Sequence, residues 1–301
     1  MRRTPRTPTI VVTVLAVAAV SVGIWAARRG LGSSEAGGGQ PTVAASPVVA
    51  RIALDDSPRQ LVLAADGLWV VGERGLYRID PSSNRVVATI PVGTLVAAPA
   101  AVALAAGVAW VPAGASTTLW RVDRTTNRVA GRIGLDRRLL GPVGVVAAGD
   151  TVWVSCCAFQ HGSRPAGVLL RVDARRNRVV GRVMPAADSR VEAITAMTGA
   201  IWAVDTGDHS VLRLDPGSGR VGLMVAAPVP RGLGVGDADG GAWVIVTNDR
   251  NLARVDEHGG RLHARVPAAV VRDVRGIAVG HGVLWVTTGN EVVRLDPRRL
   301  P

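Results

Sequence analysis

Arg59, Arg231 and Arg275 are the residues of this sequence best suited to hold an anion. Arg59 and Arg275 each stand ten residues ahead of a tryptophan, Trp69 and Trp285, and Arg231 stands twelve ahead of Trp243 across a glycine-rich stretch that takes up the difference. A guanidinium presents its donors in a fixed fork that matches a carboxylate or a phosphate, so three at equivalent places would form an anion pocket. The alternative is that these arginines are solvated, or paired with Glu192 and Asp249. Glu192 holds the corresponding place ten residues before Trp202, and Ala100 and Val143 hold it elsewhere. With Asp205, Asp208, His209 and His161 nearby, Glu192 offers a carboxylate beside an imidazole, which suits acid–base catalysis or a divalent ion such as magnesium or calcium. No cofactor or resident metal is expected outside that enzymatic alternative, because no nucleophile motif, phosphate loop or metal-ligand spacing is present.

A second group of candidates lies in one insertion. The span from Trp153 to Asp173 is 20 residues, against 11 to 13 for the other tryptophan–aspartate pairs. The extra loop holds Cys156, Cys157, Phe159, His161 and Arg164, including both cysteines and the only phenylalanine. Outside the cytoplasm two cysteines are normally oxidised. Adjacent Cα atoms are about 3.8 Å apart, shorter than the usual disulfide span, so a bond between these two would be strained and reducible. Two half-buried thiols at the end of a strand are the alternative.

A repeat positions these residues. Trp69, Trp110, Trp153, Trp202, Trp243 and Trp285 sit in short apolar runs. Each is followed by Arg-x-Asp and a turn, the triplets ending at Asp80, Asp123, Asp173, Asp215, Asp256 and Asp296. A period of roughly forty residues is the mark of a β-propeller. A further strand follows each turn, as in Val86–Ile90, Val129–Ile133 and Val179–Val183. The last unit lacks one, but Val48–Ile52 ahead of the first unit has the same pattern. The expected fold is therefore an all-β, six-bladed propeller over residues 48–301, closed by that N-terminal strand. Alternation within Leu68-Trp69-Val70-Val71 makes the tryptophans core residues. Asp at the first position of each turn accepts local backbone N–H bonds, which makes it a turn-former rather than a catalytic acid.

The residues of the first unit bring in a family. Gly-Leu-Trp-Val at 67–70, followed by Leu-Tyr-Arg-Ile-Asp-Pro-Ser-Ser-Asn-Arg-Val-Val-Ala-Thr-Ile-Pro-Val-Gly at 76–93, resembles the YVTN-type repeat propellers. More loosely, it is similar to the streptogramin (virginiamycin B) lyase superfamily. The resemblance spans Val48 to Pro297 and implies a propeller that serves as a binding module, a surface protein or, in a few cases, a lyase. Streptogramin lyases open a cyclic depsipeptide with a His and Glu pair and a magnesium ion. Those residues have no one-for-one match here, since His281 falls in a turn on the opposite face and Thr287 and Thr288 stand where an acid is expected. Lactonase-type propellers ring their channel with metal ligands, and here that position offers Glu192 alone.

The N-terminus differs in kind. Residues 1–9 are basic, and Ile10 to Ala27 carries no charge and is just long enough to span a bilayer as one transmembrane helix. Residues 28–47 form a Gly-, Ser- and Ala-rich tether. Arg2, Arg3 and Arg6 predict a cytoplasmic N-terminus with the propeller on the extracytoplasmic side of the cell membrane. Secretion after signal cleavage is the alternative. The net charge is +12, and all 35 basic residues are arginine. With one Tyr, one Phe and no concentrated basic stripe, the composition argues against nucleic acid as a partner. The expected partners are the membrane and a small anionic ligand, an envelope polymer or another protein, bound by a monomeric propeller. A passive envelope-associated protein, held by charge alone, is a further alternative.

Overall fold

The computed structural model describes residues 46–92, 101–113, 116–136, 139–158, 166–185, 189–197, 199–226, 230–234, 242–246, 251–255, 262–266 and 270–300. β1 (Val48–Ala53) opens this region. Five four-stranded antiparallel sheets follow, each built from consecutive strands. The first comprises β2 (Leu61–Ala64), β3 (Gly67–Val71), β4 (Leu76–Asp80) and β5 (Arg85–Ile90). The second comprises β6 (Ala103–Ala105), β7 (Val108–Pro112), β8 (Thr118–Asp123) and β9 (Arg128–Gly134). The third comprises β10 (Leu139–Ala148), β11 (Thr151–Ala158), β12 (Ala166–Asp173) and β13 (Arg178–Val183). The fourth comprises β14 (Val191–Met197), β15 (Ala200–Asp205), β16 (Ser210–Leu214) and β17 (Val221–Ala226). The fifth comprises β18 (Pro230–Gly234), β19 (Ala242–Val246), β20 (Asn251–Val255) and β21 (Leu262–Val266). The remaining strands, β22 (Val274–Gly280), β23 (Val283–Thr288) and β24 (Glu291–Leu295), form a sheet with β1, which pairs antiparallel with β24. The first strands β2, β6, β10, β14, β18 and β22 touch in cyclic order around an axial channel, with β22 against β2.

The expectation of a six-bladed propeller behind one transmembrane helix needs correction. Five blades are self-contained units of the repeat, and the remaining four-stranded sheet is a composite drawn from both ends of the described chain. Among the described residues no helix is long and apolar enough to cross a membrane, and the only helical turn is Pro297–Arg299. Residues 10–27 lie outside the described residues.

Register explains the repeat. In every sheet the tryptophan lies directly across from the arginine of Arg-x-Asp, as in Trp69–Arg78, Trp110–Arg121, Trp153–Arg171 and Trp285–Arg294. In these four pairs the guanidinium carbon lies 5.3–5.6 Å from the ring centroid, within cation–π range. The Trp strand is covered on both sides by neighbouring sheets, so that all five residues of β3 and of β7 are buried. The same arginines also join neighbours: Arg78 reaches the Arg124 carbonyl and Asn127 of the next blade, and Arg294 reaches the Pro81 carbonyl and Asn84 across the seam.

The Asp turns form as their sequence dictates. Asp80 accepts from the Ser82 N–H and from the hydroxyls of Ser82 and Ser83, and Asp123, Asp173 and Asp215 cap their turns likewise. Four residues on, Asn84, Asn127 and Asn177 take a left-handed backbone at φ 54°, 54° and 55°, a conformation that asparagine tolerates better than most residues. Antiparallel strand order then divides the connections between two faces. The starts of the first strands and the turns between second and third strands share one face, here called the mouth face. The turns between first and second strands share the opposite, Asp-turn face with the Asp turns.

Candidate functional site

The channel has a volume of about 550 Å³ and is bordered by Arg59 and Arg275 at the mouth face and by Arg124 towards the other end. Its described wall is mixed, with the aliphatic Leu61, Leu104, Val146 and Ile194 and the polar Gln60 and Thr195 among the bordering residues.

The residues pairing with the tryptophans place the candidate arginines in register. Val62, Ala103, Val146, Thr195, Gly234 and Ala278 face the six tryptophans. Three residues before each stand Arg59, Ala100, Val143, Glu192, Arg231 and Arg275. The structure brings Arg59 and Arg275 together at the seam between the composite sheet and the first blade. The Thr287 hydroxyl donates to the Arg59 carbonyl, and a Cβ on Gly276 would lie 2.2 Å from that oxygen. Gly276 is thus needed for the close approach of the two backbones. The side chains of Arg231 and Glu192, and residues 159–165 with Phe159, His161 and Arg164, lie outside the described residues.

Both described arginines have carboxylate partners, though not the two that the sequence suggested. Arg59 pairs with Glu73 in the turn between β3 and β4. Arg275 donates to Asp273 at 3.1 Å and to the Ser57 hydroxyl at 2.5 Å. A hub residue holds these partners. The Asp56 carboxylate accepts from the N–H groups of Ser57 (2.7 Å), Glu73 (3.2 Å) and Arg74 (3.0 Å) and from the Tyr77 hydroxyl (2.9 Å). It therefore ties Ser57, which orients Arg275, to Glu73, which orients Arg59. Burial opposes the charge of Asp56, but the bonds from Arg74, Ser57, Tyr77 and Glu73 outweigh it and hold the carboxyl below its ordinary 3.8. Burial, and then the hydrogen bond and charge of Asp56, push the Tyr77 phenol up to about 12. A Cβ on Gly72 would lie 2.2 Å from Asp56 Oδ2, so the hub also needs glycine there.

Sequence reasoning missed Asp56, Ser57, Glu73 and Asp273. Their only signal was position, in connections assigned to the same face as Arg59 and Arg275.

Of the acid–base candidates, Asp205, Asp208 and His209 are described. Asp205 is buried and accepts from the Ser189 hydroxyl (2.6 Å) and from the N–H groups of Arg190 (2.8 Å) and Gly207 (2.9 Å), which makes it a turn anchor. His209 is an exposed turn residue at φ 50°, and Asp208 beside it is exposed. Among the described residues no group of three His, Cys, Asp or Glu side chains is placed to hold a metal ion. Cys156 is buried within β11, opposite Val168 and among Val154 and Leu170, while the side chain of Cys157 lies outside the described residues.

At the far end of the channel Arg124 clasps Asp66 through two nitrogens. Burial of Asp66 is outweighed by that bond and charge, which lower its pKa.

No protein-family model matches this sequence, and no curated protein matches it either. Solved structures do match in shape. A chain of Kuenenia stuttgartiensis hydrazine synthase aligns with TM-score 0.55 and 17% identity over 83% of this chain and 77% of that one. The luciferin-regenerating enzyme aligns at TM-score 0.60 and 12% identity over 81% and 92%, and the WD40 repeats of RRP9 at 0.59 and 10% over 83% and 98%. Identities this low establish the fold alone: the chain is a β-propeller, an architecture that commonly serves as a binding module. The finer resemblance to YVTN repeats and streptogramin lyases finds no counterpart among these matches.

Proposed function

We propose that this chain is a membrane-tethered, extracytoplasmic binding propeller whose ligand, a small anion, sits at the channel mouth between Arg59 and Arg275, with Arg231 contributing from the neighbouring blade. The observation that carries this reading is the meeting of Arg59 and Arg275 at one seam, both bordering the same cavity. Their pairs with Glu73 and Asp273 do not bar an anion. The paired side chains keep 39% and 46%, and 23% and 42%, of their exposure, and such pairs are worth only about 0–1 kcal/mol. A ligand that engages two forks at once gains more than it displaces. Ser57 and Glu73 keep the forks in place, so little ordering is needed on binding.

Calorimetric titration with citrate and with inorganic phosphate tests the site. Arg59→Ala, Arg231→Ala and Arg275→Ala should each weaken binding about tenfold or more, the loss expected for a charged hydrogen bond. Unchanged affinity in all three variants, or no saturable binding by the parent chain, would remove the site. For the tether, fractionation should find the full chain in membranes with the propeller open to external protease. Recovery as a soluble cytoplasmic protein would overturn that part.

A further inference from the structure

Among the described residues the two faces differ in how their arginines are partnered. On the mouth face four described arginines have carboxylate neighbours, Arg59 with Glu73, Arg275 with Asp273, Arg51 with Glu291 and Arg182 with Asp136, while Arg190 is exposed with no carboxylate partner among the described residues. On the Asp-turn face the carboxylates of Asp80, Asp123, Asp173 and Asp215 are occupied by the N–H groups of their own turns. Just beyond those turns Arg85, Arg128, Arg178 and Arg220 begin the outer strands, all exposed and without a side-chain partner among the described residues. Inside this rim lie the exposed Arg175, paired with Asp150, Arg176, paired with Asp173, and Arg298 and Arg299, which share Asp296. Val86, Val129 and Val179 follow three of the rim arginines and are 38–40% exposed. The outer rim of this face thus carries four exposed guanidinium groups that no described carboxylate pairs, three of them with an apolar side chain beside them.

The N-terminal end of the described chain also lies on this face. The Asp296 N–H donates to the Pro47 carbonyl at 2.8 Å, and Arg299 to the Ser46 carbonyl at 3.4 Å. Residues 1–45, which include the uncharged run Ile10–Ala27 and the basic pair Arg28 and Arg29, join the propeller here.

The geometry points to the Asp-turn face as a docking surface for an anionic phospholipid bilayer, leaving the channel mouth directed away from the membrane. Arginine forks suit lipid phosphates, and a ring of them can meet a plane all at once. The exposed valines add apolar contact at the headgroup boundary. The argument from attachment rests on the tethered reading above. The argument from charge does not.

The test separates the two. Every described sheet and core cluster lies within residues 46–300, so a chain of residues 44–301 keeps all of them without the apolar run. It should sediment with vesicles of phosphatidylcholine and phosphatidylglycerol, stay free of vesicles of phosphatidylcholine alone, and be released by high salt. Combining Arg85→Gln, Arg128→Gln and Arg178→Gln should weaken binding on the order of a hundredfold, at about fivefold for each arginine near the surface. Combining Arg74→Gln, Arg190→Gln and Arg272→Gln removes the same charge from the mouth face and should change binding only a few-fold. Thermal melts of both variants establish that they fold. The inference is overturned if phosphatidylglycerol vesicles do not bind, if the two triple variants lose affinity equally, or if soluble polyphosphate binds this face while vesicles do not. A failure of the tether alone would leave vesicle binding by residues 44–301 intact.

Discussion

Replacing Asp56 by Asn tests the hub beneath the arginine mouth, and the chain carries its own reporter, since Tyr77 is its only tyrosine. The Asp56 carboxylate accepts four hydrogen bonds, from Ser57, Glu73, Arg74 and Tyr77. Asparagine keeps one acceptor oxygen and turns an amide N–H₂ towards either the Ser57 and Glu73 N–H groups or the Arg74 N–H and the Tyr77 hydroxyl, so donors on one side are left facing another donor. Losing a hydrogen bond to a charged group costs about 1.5–3 kcal/mol, and the exposed N–H groups of Glu73 and Arg74 recover part of their share from water. A net loss of about 2 kcal/mol lowers Tm by ~4–8 °C in a chain of this size. The phenol gives the sharper test. In the parent protein its folded pKa is raised from 10.0 to about 12, first by burial and then by Asp56. The protonated phenol therefore stabilises the fold fully below pH 10, and that contribution is lost as pH rises through about 12. Ultraviolet titration of phenolate absorbance should show ionisation near the upper value in the parent. In the Asp56→Asn variant the midpoint should fall towards 10 while staying above it, because burial remains. A parent tyrosine titrating near 10, or a midpoint indifferent to the substitution, would refute the hub.

Two further substitutions probe the seam and the turns. Gly276→Ala places a Cβ 2.2 Å from the Arg59 carbonyl, so it should lower Tm and weaken citrate binding together, whereas Gly134→Ala, where nothing lies within 4 Å, should do neither. Equal behaviour of the two in thermal melts and calorimetry would count against the close approach. Asp80→Ala should lower Tm and leave citrate affinity unchanged. The hydroxyls of Ser83 and Ser82 and the Ser82 N–H lower the pKa of Asp80 from 3.8 to about 2, so its contribution is present above pH 3.8 and fades as pH falls towards 2. The stability gap between Asp80→Ala and the parent should close over that range in acid-unfolding curves, and a gap independent of pH would show that the carboxylate is not the capping group.

Much of the scaffold was legible because its causes are local or periodic. The tryptophan runs, Arg-x-Asp and the asparagine four residues later each meet a requirement set within a few residues: burial on both strand faces, an acceptor for turn N–H groups, and a left-handed backbone. The strand pattern at Val48–Ile52 exposed the gap in the last unit, and β1 pairs with β24 there. The arginine of Arg-x-Asp was harder to read. Its partner lies between 9 and 18 residues earlier, at a spacing set by loop length, and only register shows that it lies across from tryptophan in every sheet.

The site depended almost wholly on long-range placement. Alignment on the tryptophans put Arg59 and Arg275 at matching positions, but their partners lie in connections whose lengths follow no repeat, so neither Glu73 nor Asp273 could be told from any exposed acid. Asp205 is a further case, since its bonds from Ser189, Arg190 and Gly207 could not be read from the repeat. The sequence alone determined the strands, their turns and the positions that recur, because short-range sterics and hydrogen bonding decide those. Only the closed ring decided which charges meet and which are left without a partner, because electrostatic partnership depends on distance in space rather than distance along the chain.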